Sequence, residues 1–276
     1  MKKSFFIALL SLFSASTLAQ DSFFPIWGEE AYERGYTLPK PYGFSISYMD
    51  MSNPIIVDSI DINGGFAGGL VDDIEAKHAD FTGSNITLRG DVWVFPFMNL
   101  YGILGYTEAK STAKIDSITV AGNKVELDNA NFTLDMKGTT YGAGVTFAGG
   151  VDNWFSILDI NYTYTSLNVI DGDIKTLVAA PRFGHRWTYN DGNELRVYIG
   201  GMYQDVQQFL SGDVNALGFN GGPLTDGTRF EVSQRTEDKW NFITGAQFQF
   251  RHEWEILTEF GFGERSSAFI SLGKRF

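Results

Sequence analysis

The chain has 276 residues, no cysteine, 15% aromatic residues and a formal net charge of −12. Without cysteine it cannot carry the disulfides that many exported soluble proteins use. The acidic balance, with no cluster of Lys and Arg, excludes nucleic acid as a partner.

Lys2 and Lys3 lead into an apolar run from Phe5 to Phe13, and Thr17 and Ala19 sit at cleavage positions. This is the pattern of a secretory signal peptide over residues 1–19, with Gln20 as the first mature residue. Removing Lys2 and Lys3 leaves a net charge of −14, and no cysteine follows the cut to carry a lipid anchor. The apolar run is too short to cross a bilayer as a helix, and no other segment approaches ~20 consecutive apolar residues. The exported chain is therefore soluble or crosses a membrane as strands, since lipid tolerates only helices and closed barrels.

Residues 20–41 precede the strands. Phe23, Phe24 and Trp27 come before a short helical turn between Gly28 and Gly35, and Pro39 and Pro41 stiffen the entry to the first strand. This segment either plugs a lumen from below or trails as a periplasmic tail.

Period-2 alternation then predicts ten strands. They cover about 42–50, 84–95, 98–110, 138–148, 153–166, 174–188, 194–207, 239–250, 252–263 and the C-terminal stretch to Phe276. Strand five sets Trp154, Leu158, Ile160, Tyr162 and Tyr164 against Asp159, Asn161, Thr163 and Thr165. Strand eight sets Trp240, Phe242, Ala246, Phe248 and Phe250 against Asn241, Gln247 and Gln249. Each is long enough for a tilted crossing of ~10 residues.

The connections alternate in length. Short links follow strands two, four, six and eight, at Phe95–Met98, Gly149–Asp152, Tyr189–Gly192 and Arg251-His252. Long loops at 51–83, 111–137 and 208–237 fall on the other side, together with the shorter links 167–173 and 264–266. Transmembrane barrels put short turns in the periplasm and long loops outside. The expectation is an all-β, antiparallel transmembrane β-barrel of about ten strands. Ile55-Ile56-Val57 and Lys114–Val120 also have strand character. They either extend hairpins or raise the count to twelve.

The C-terminal strand carries Ala268, Ile270 and Leu272 on alternate positions and ends on Phe276. This end resembles the assembly signal of bacterial outer-membrane β-barrel proteins. The resemblance implies an outer-membrane location, surrounding lipid and lipopolysaccharide, and insertion by the barrel assembly machinery. Lys274 departs from the pattern, which usually has an apolar residue there; a lysine can snorkel to the interface.

The inward rows carry Arg89, Asp91, Asp159, Arg182, Arg186, Arg196, Glu255 and Glu259. Mixed charges across a narrow lumen read as ion-paired rungs, with a selectivity filter as the sharper alternative. Ten strands lie near the packed end of the range, so a wide porin is not expected. The expected work is non-enzymatic, with no cofactor or metal: a narrow solute path, or a structural and surface-interaction role. One rival is a hydrolase at the outer rim, either a protease or a lipid editor. Of the three histidines, His185 and His252 lie toward the periplasmic side, and His78 lies in an acidic outer loop. That loop, with Asp58, Asp61, Asp72, Asp73 and Asp80, reads as a solvated surface before a cation site. Another rival is a soluble periplasmic β-protein, which would have to bury Trp240, Phe242, Phe248 and Phe250 beneath a second sheet.

Overall fold

The computed structural model describes residues 23–65, 67–76, 78–168, 170–189, 192–214 and 226–276. The expected signal peptide lies outside the described residues. Among the described residues one short α-helix, α1 (Gly28–Glu33), precedes twelve strands. These are β1 (Tyr42–Gly64), β2 (Val71–Glu75), β3 (His78–Phe95), β4 (Met98–Val120), β5 (Asn123–Val151) and β6 (Trp154–Leu167). They continue with β7 (Asp171–Thr188), β8 (Glu194–Asp213), β9 (Thr228–Thr236), β10 (Trp240–Phe250), β11 (Trp254–Phe262) and β12 (Ser266–Arg275).

Ten of these close a ring in the order β1, β3, β4, β5, β6, β7, β8, β10, β11, β12. All neighbours run antiparallel, and β12 returns to β1 in one unbroken register from Gly43↔Arg275 to Ser52↔Ser266. Closure leaves no free sheet edge in the ring. Both chain termini of the barrel and its short turns share one end, the inner end, where Phe276 N–H donates to Tyr42 O at 2.9 Å.

The outer loops expected at 51–83 and 111–137 are largely strand, and so are the described residues of 208–237. Ile55–Val57 and Lys114–Val120 extend existing strands, while the two strands beyond ten are β2 and β9. The β4–β5 hairpin turns on Ala121 and Gly122, with φ of 48° and 76°, between the paired Val120 and Asn123. Two positive φ angles suit the right-handed twist of a tight hairpin. Hydropathy does not flag these extensions because small residues fill the inward row. Ala109, Ser111, Ala113 and Ser117 face in, opposite charged neighbours such as Glu108 and Lys110.

β5 is 29 residues long, about three times the ~10 that a tilted crossing needs. Above the tips of β10, β11 and β12, β9 takes their place. It pairs with β8 from Gln207↔Arg235 to Asp213↔Arg229 and with β1 from Ile55↔Thr236 to Gly64↔Thr228. One strand thus spans what three span below, and the enclosed space narrows. Ile55, Ala113, Leu134, Met136, Leu210, Phe230 and Val232 fill it, all buried. The Phe132 and Phe230 rings meet edge-on at 5.9 Å.

Around the ring the outward rows stay exposed. Trp240 and Phe242 are 61% and 69% exposed, and Phe248, Phe250, Ile270 and Leu272 are exposed beside them. No second sheet covers them among the described residues. Soluble monomers rarely leave contiguous apolar patches above a few hundred Å² uncovered. An apolar belt that circles a closed barrel is what lipid contact requires.

Candidate functional site

Below the outer core lies a cavity of about 1430 Å³ inside the ring. Its outer end is walled by Met51, Phe81, Ile174 and Val206, and its inner end by Trp27, Leu38 and Pro39 of the N-terminal segment. That segment is held at the inner mouth. Ile26 N–H donates to Val94 O at 2.9 Å, and Trp27 lies 4.8 Å from the Phe95 ring. Lys40 Nζ reaches Glu253 Oε1 at 2.7 Å.

All eight charged residues expected to face inward line this cavity. The structure places seven of them on two sides of the lumen: in a network on β3–β6, and in two neighbouring clusters on β7, β8, β10 and β11 that together make the second network. In the first, Asp159 on β6 accepts from Tyr101 Oη at 2.7 Å and from Thr146 Oγ1 at 2.6 Å. The Arg89 guanidinium stacks 3.6 Å from the centre of the Tyr101 ring and donates to Asn99 Oδ1 at 2.9 Å. Asn99 in turn donates to Asp91 Oδ1 at 2.6 Å, and Arg275 Nη2 donates to the same oxygen at 2.8 Å.

In the second network, Glu259 Oε2 accepts from Arg182 Nε and from Tyr198 Oη, each at 2.7 Å. Arg196 pairs with Glu194 and donates to Gln247 Oε1 at 3.1 Å. Gln247 Nε2 then donates to Glu255 Oε2 at 2.9 Å. Arg186 stands apart near the inner end and donates to the backbone oxygen of Asp152 at 2.9 Å.

The two networks repeat one plan. An arginine on one strand contacts a tyrosine on the next, and that tyrosine faces a glycine across the following strand pair. Its hydroxyl donates to an acid one strand further on. Arg89, Tyr101, Gly144 and Asp159 fill these roles on β3 to β6; Arg182, Tyr198, Gly245 and Glu259 fill them on β7, β8, β10 and β11. Charge is thereby neutralised across the lumen within low-dielectric walls, where an unpaired ion would be costly. The carboxylates bonded here to arginine, tyrosine, threonine or amide donors act as acceptors in networks that brace the cavity wall.

Seven residues of these networks, Asn99, Tyr101, Thr146, Glu194, Tyr198, Gln247 and Arg275, are not among the site candidates read from the sequence. Arg275 shares the inward parity of Ser271 and Gly273, so alternation alone would have placed it. Tyr101 and Tyr198 are aromatic residues on polar rows, a mismatch that marks a phenol with a buried acceptor.

The remaining candidates fall outside the lumen. Ala268, Ile270 and Leu272 face outward, and Lys274 Nζ lies 5.3 Å from the Trp254 ring and 4.9 Å from the Phe276 ring. A cation between two aromatic faces takes the place of the usual apolar side chain. His78 is mostly exposed, with Nδ1 3.5 Å from Glu237. His185 is wedged between Trp154 and Trp187 on the outer face, and His252 lies in an inner turn against Gly192. Asp72 accepts from Gly122 N–H at 2.7 Å, and Asp58 pairs with Arg235 at 3.0 Å. Among the described residues no group of three His, Asp or Glu side chains is placed to hold a metal ion.

A closed antiparallel ring, an apolar outward belt and short turns gathered at one end decide the class. The chain has the fold of the bacterial outer-membrane β-barrels. It is similar to the outer membrane protein OprG from Pseudomonas aeruginosa, with 9% identity, a TM-score of 0.43 and coverage of 87% of this chain and 98% of that one. It is also similar to the COG4313 outer membrane channel from Pseudomonas putida F1, at 10% identity, a TM-score of 0.37 and coverage of 87% and 97%. The transport unit of the autotransporter AIDA-I from Escherichia coli is matched at 8% identity and a TM-score of 0.38, over 86% and 90%. These are distant likenesses of fold and say nothing of what this barrel does. No protein-family model matches the chain, and no curated protein matches it.

Proposed function

We propose that this outer-membrane barrel is a sealed anchor for a folded β-structure outside the cell. Its role is structural or surface-interacting, and solute does not pass through it. The observation that carries this is the apolar core at the outer end, where Leu210, Phe230 and Val232 are each 0% exposed. A water path needs polar lining or open width, and close-packed aliphatic and aromatic side chains supply neither. The cavity beneath is a blind chamber. Its charges are matched partners that fix the barrel wall, in preference to a selectivity filter.

The strands that rise past the belt form the working surface. Acidic side chains dominate it, including Asp58, Asp61, Asp72, Asp73, Glu108 and Asp171. By this reading the chain is exported by the cleaved segment 1–19. The barrel assembly machinery inserts it through the strand that ends at Phe276, and it sits in outer-membrane lipid beside lipopolysaccharide. The part of the N-terminal segment from Phe23 to Pro41 then narrows the inner mouth.

Purified protein, run boiled and unboiled on a gel and then reconstituted in a planar bilayer, tests the reading. Fast migration only when unboiled, without discrete conductance steps, is the expected result. Stable conductance steps from the folded form would overturn the sealed barrel and restore the solute path.

A further inference from the structure

Residues Phe23 to Trp27 follow the inner rim of the barrel on its outer side. Phe24 meets Tyr42 with ring centres 6.5 Å apart, and Tyr42 heads the exposed outward row that Phe44, Ile46 and Tyr48 continue along β1. Ile26 N–H donates to Val94 O at 2.9 Å and pins the segment to the foot of β3. Trp27 then lies 4.8 Å from the Phe95 ring and 6.5 Å from the Phe97 ring. Phe95 is the register partner of Met98, and Met98 that of Phe147 on the exposed row of β5. Directly opposed residues share one face of a sheet, so Phe95 faces outward as well. Trp27 also borders the chamber, and therefore sits astride the rim.

The segment leaves its aromatic side chains uncovered among the described residues. Phe23 is 77% exposed and Trp27 57% exposed. They join the aromatic residues at the inner ends of the strands, where Trp154 opens β6 and Trp187 nearly closes β7. Aromatic side chains gather at that height in membrane barrels, because their apolar bodies and polar edges suit the layer between hydrocarbon and water. The exposed acids Glu29, Glu30 and Glu33 come only afterwards, on α1. The segment is thus apolar where it touches the belt and charged where it leaves it.

Continuity with the belt through Tyr42, Phe95 and Phe97 identifies what covers the exposed rings. We propose that Phe23–Trp27 is an interfacial anchor whose aromatic side chains lie among the lipid headgroups and adjoining acyl chains of the inner leaflet. The inference rests on the reading of the barrel as embedded in lipid. It gives the N-terminal segment two tethers: lipid and Phe95 at Trp27, and Glu253 at Lys40. Leu38 and Pro39 at the chamber mouth are held between them.

The chain has no cysteine, so one introduced cysteine carries a unique nitroxide label. Phe23→Cys, Glu33→Cys and Phe248→Cys are labelled separately in the full barrel, each checked for unboiled gel mobility and reconstituted in phosphatidylcholine vesicles. Relaxation of the label by oxygen, which concentrates in lipid, is compared with relaxation by a water-soluble nickel chelate. The label at 248 reports the belt and is expected to favour oxygen. The label at 23 is expected to follow it, and the label at 33 to favour nickel several-fold. A label at 23 as open to nickel as the one at 33, with 248 still in lipid, would overturn the anchor and leave the membrane barrel standing. Nickel access at 248 as well would overturn the lipid-embedded reading and the anchor with it. Fluorescence supplies a second measurement without a label. Transfer to brominated phosphatidylcholine is expected to quench more emission in the native chain than in Trp27→Phe. An equal loss in both would also overturn the anchor.

Discussion

The Tyr101 ring occupies the space that a side chain on Gly144 would need, and Tyr198 does the same over Gly245. In each case tyrosine and glycine stand directly opposite on neighbouring strands. The missing Cβ lets the ring lie across the wall so that its hydroxyl reaches Asp159 or Glu259 on the strand beyond. Glycine in a strand interior commonly marks such a close approach.

Alanine at Gly144 or Gly245 should therefore displace the ring and break its bond to the acid. Each single change is expected to destabilise the barrel by about 1–3 kcal/mol. Alanine at Gly90, where a Cβ meets nothing within 4 Å, is the control and should have little effect. Urea or heat titration of unboiled gel mobility reads the difference. Equal behaviour of all three variants would contradict the packing role of the tyrosines.

Arg182 and Glu259 form the most enclosed ion pair of the second network. Changing Glu259→Gln leaves the guanidinium buried beside a neutral group. The loss is expected to be about 3–5 kcal/mol, as for other buried pairs broken on one side. The double change Arg182→Met with Glu259→Gln should recover part of it, because no charge is then stranded. The same unfolding titration measures both. If the lumenal charges served only to select ions, the single change would leave stability intact.

The outer seal makes a separate prediction. Phe230→Ala combined with Leu210→Ala removes two fully buried side chains from one cluster. Such truncations cost about 2–5 kcal/mol each. The part of the barrel that they support is outside the belt, so the ring should survive while the seal loosens. Bilayer recordings should then show conductance that the native barrel lacks, and added protease should cut within 208–237. A variant that still conducts nothing would show that other residues also close the path.

The N-terminal segment should respond to acid. The ammonium group of Lys40 holds the Glu253 carboxyl below its usual range, chiefly through their hydrogen bond. The folded value is lower than the unfolded value of about 4.3. The pair therefore contributes fully above that pH, and its contribution is lost as pH falls through the folded value. Both side chains are partly exposed, so the effect is small. Fluorescence of Trp27, which rests on Phe95, should shift in the native chain as pH falls below the usual carboxylate range, and Lys40→Met should flatten that change. An identical acid response in both proteins would remove the ion pair from the docking of this segment.

Alternation by itself determined which side chains of the ring face lipid and which face the lumen. It is a local property: successive side chains on a strand point to opposite faces whatever the strand pairs with. Arg89, Asp159, Arg182 and Glu259 were legible as inward on that basis. So was the division into one end with short turns and one with long connections. Which charge meets which was not legible. Arg182 and Glu259 are 77 residues apart in the chain, and Arg275 and Asp91 are 184 apart. Their meeting depends on register and on the closure of β12 against β1, neither of which is written in any single strand. The outer seal was hidden for the same reason. Ala113 and Ser111 look like polar-loop residues until β9 crosses from β8 to β1 and narrows the space that they enclose. The tertiary structure alone decided that the lumen ends in a packed core, because packing depends on how many strands surround a point.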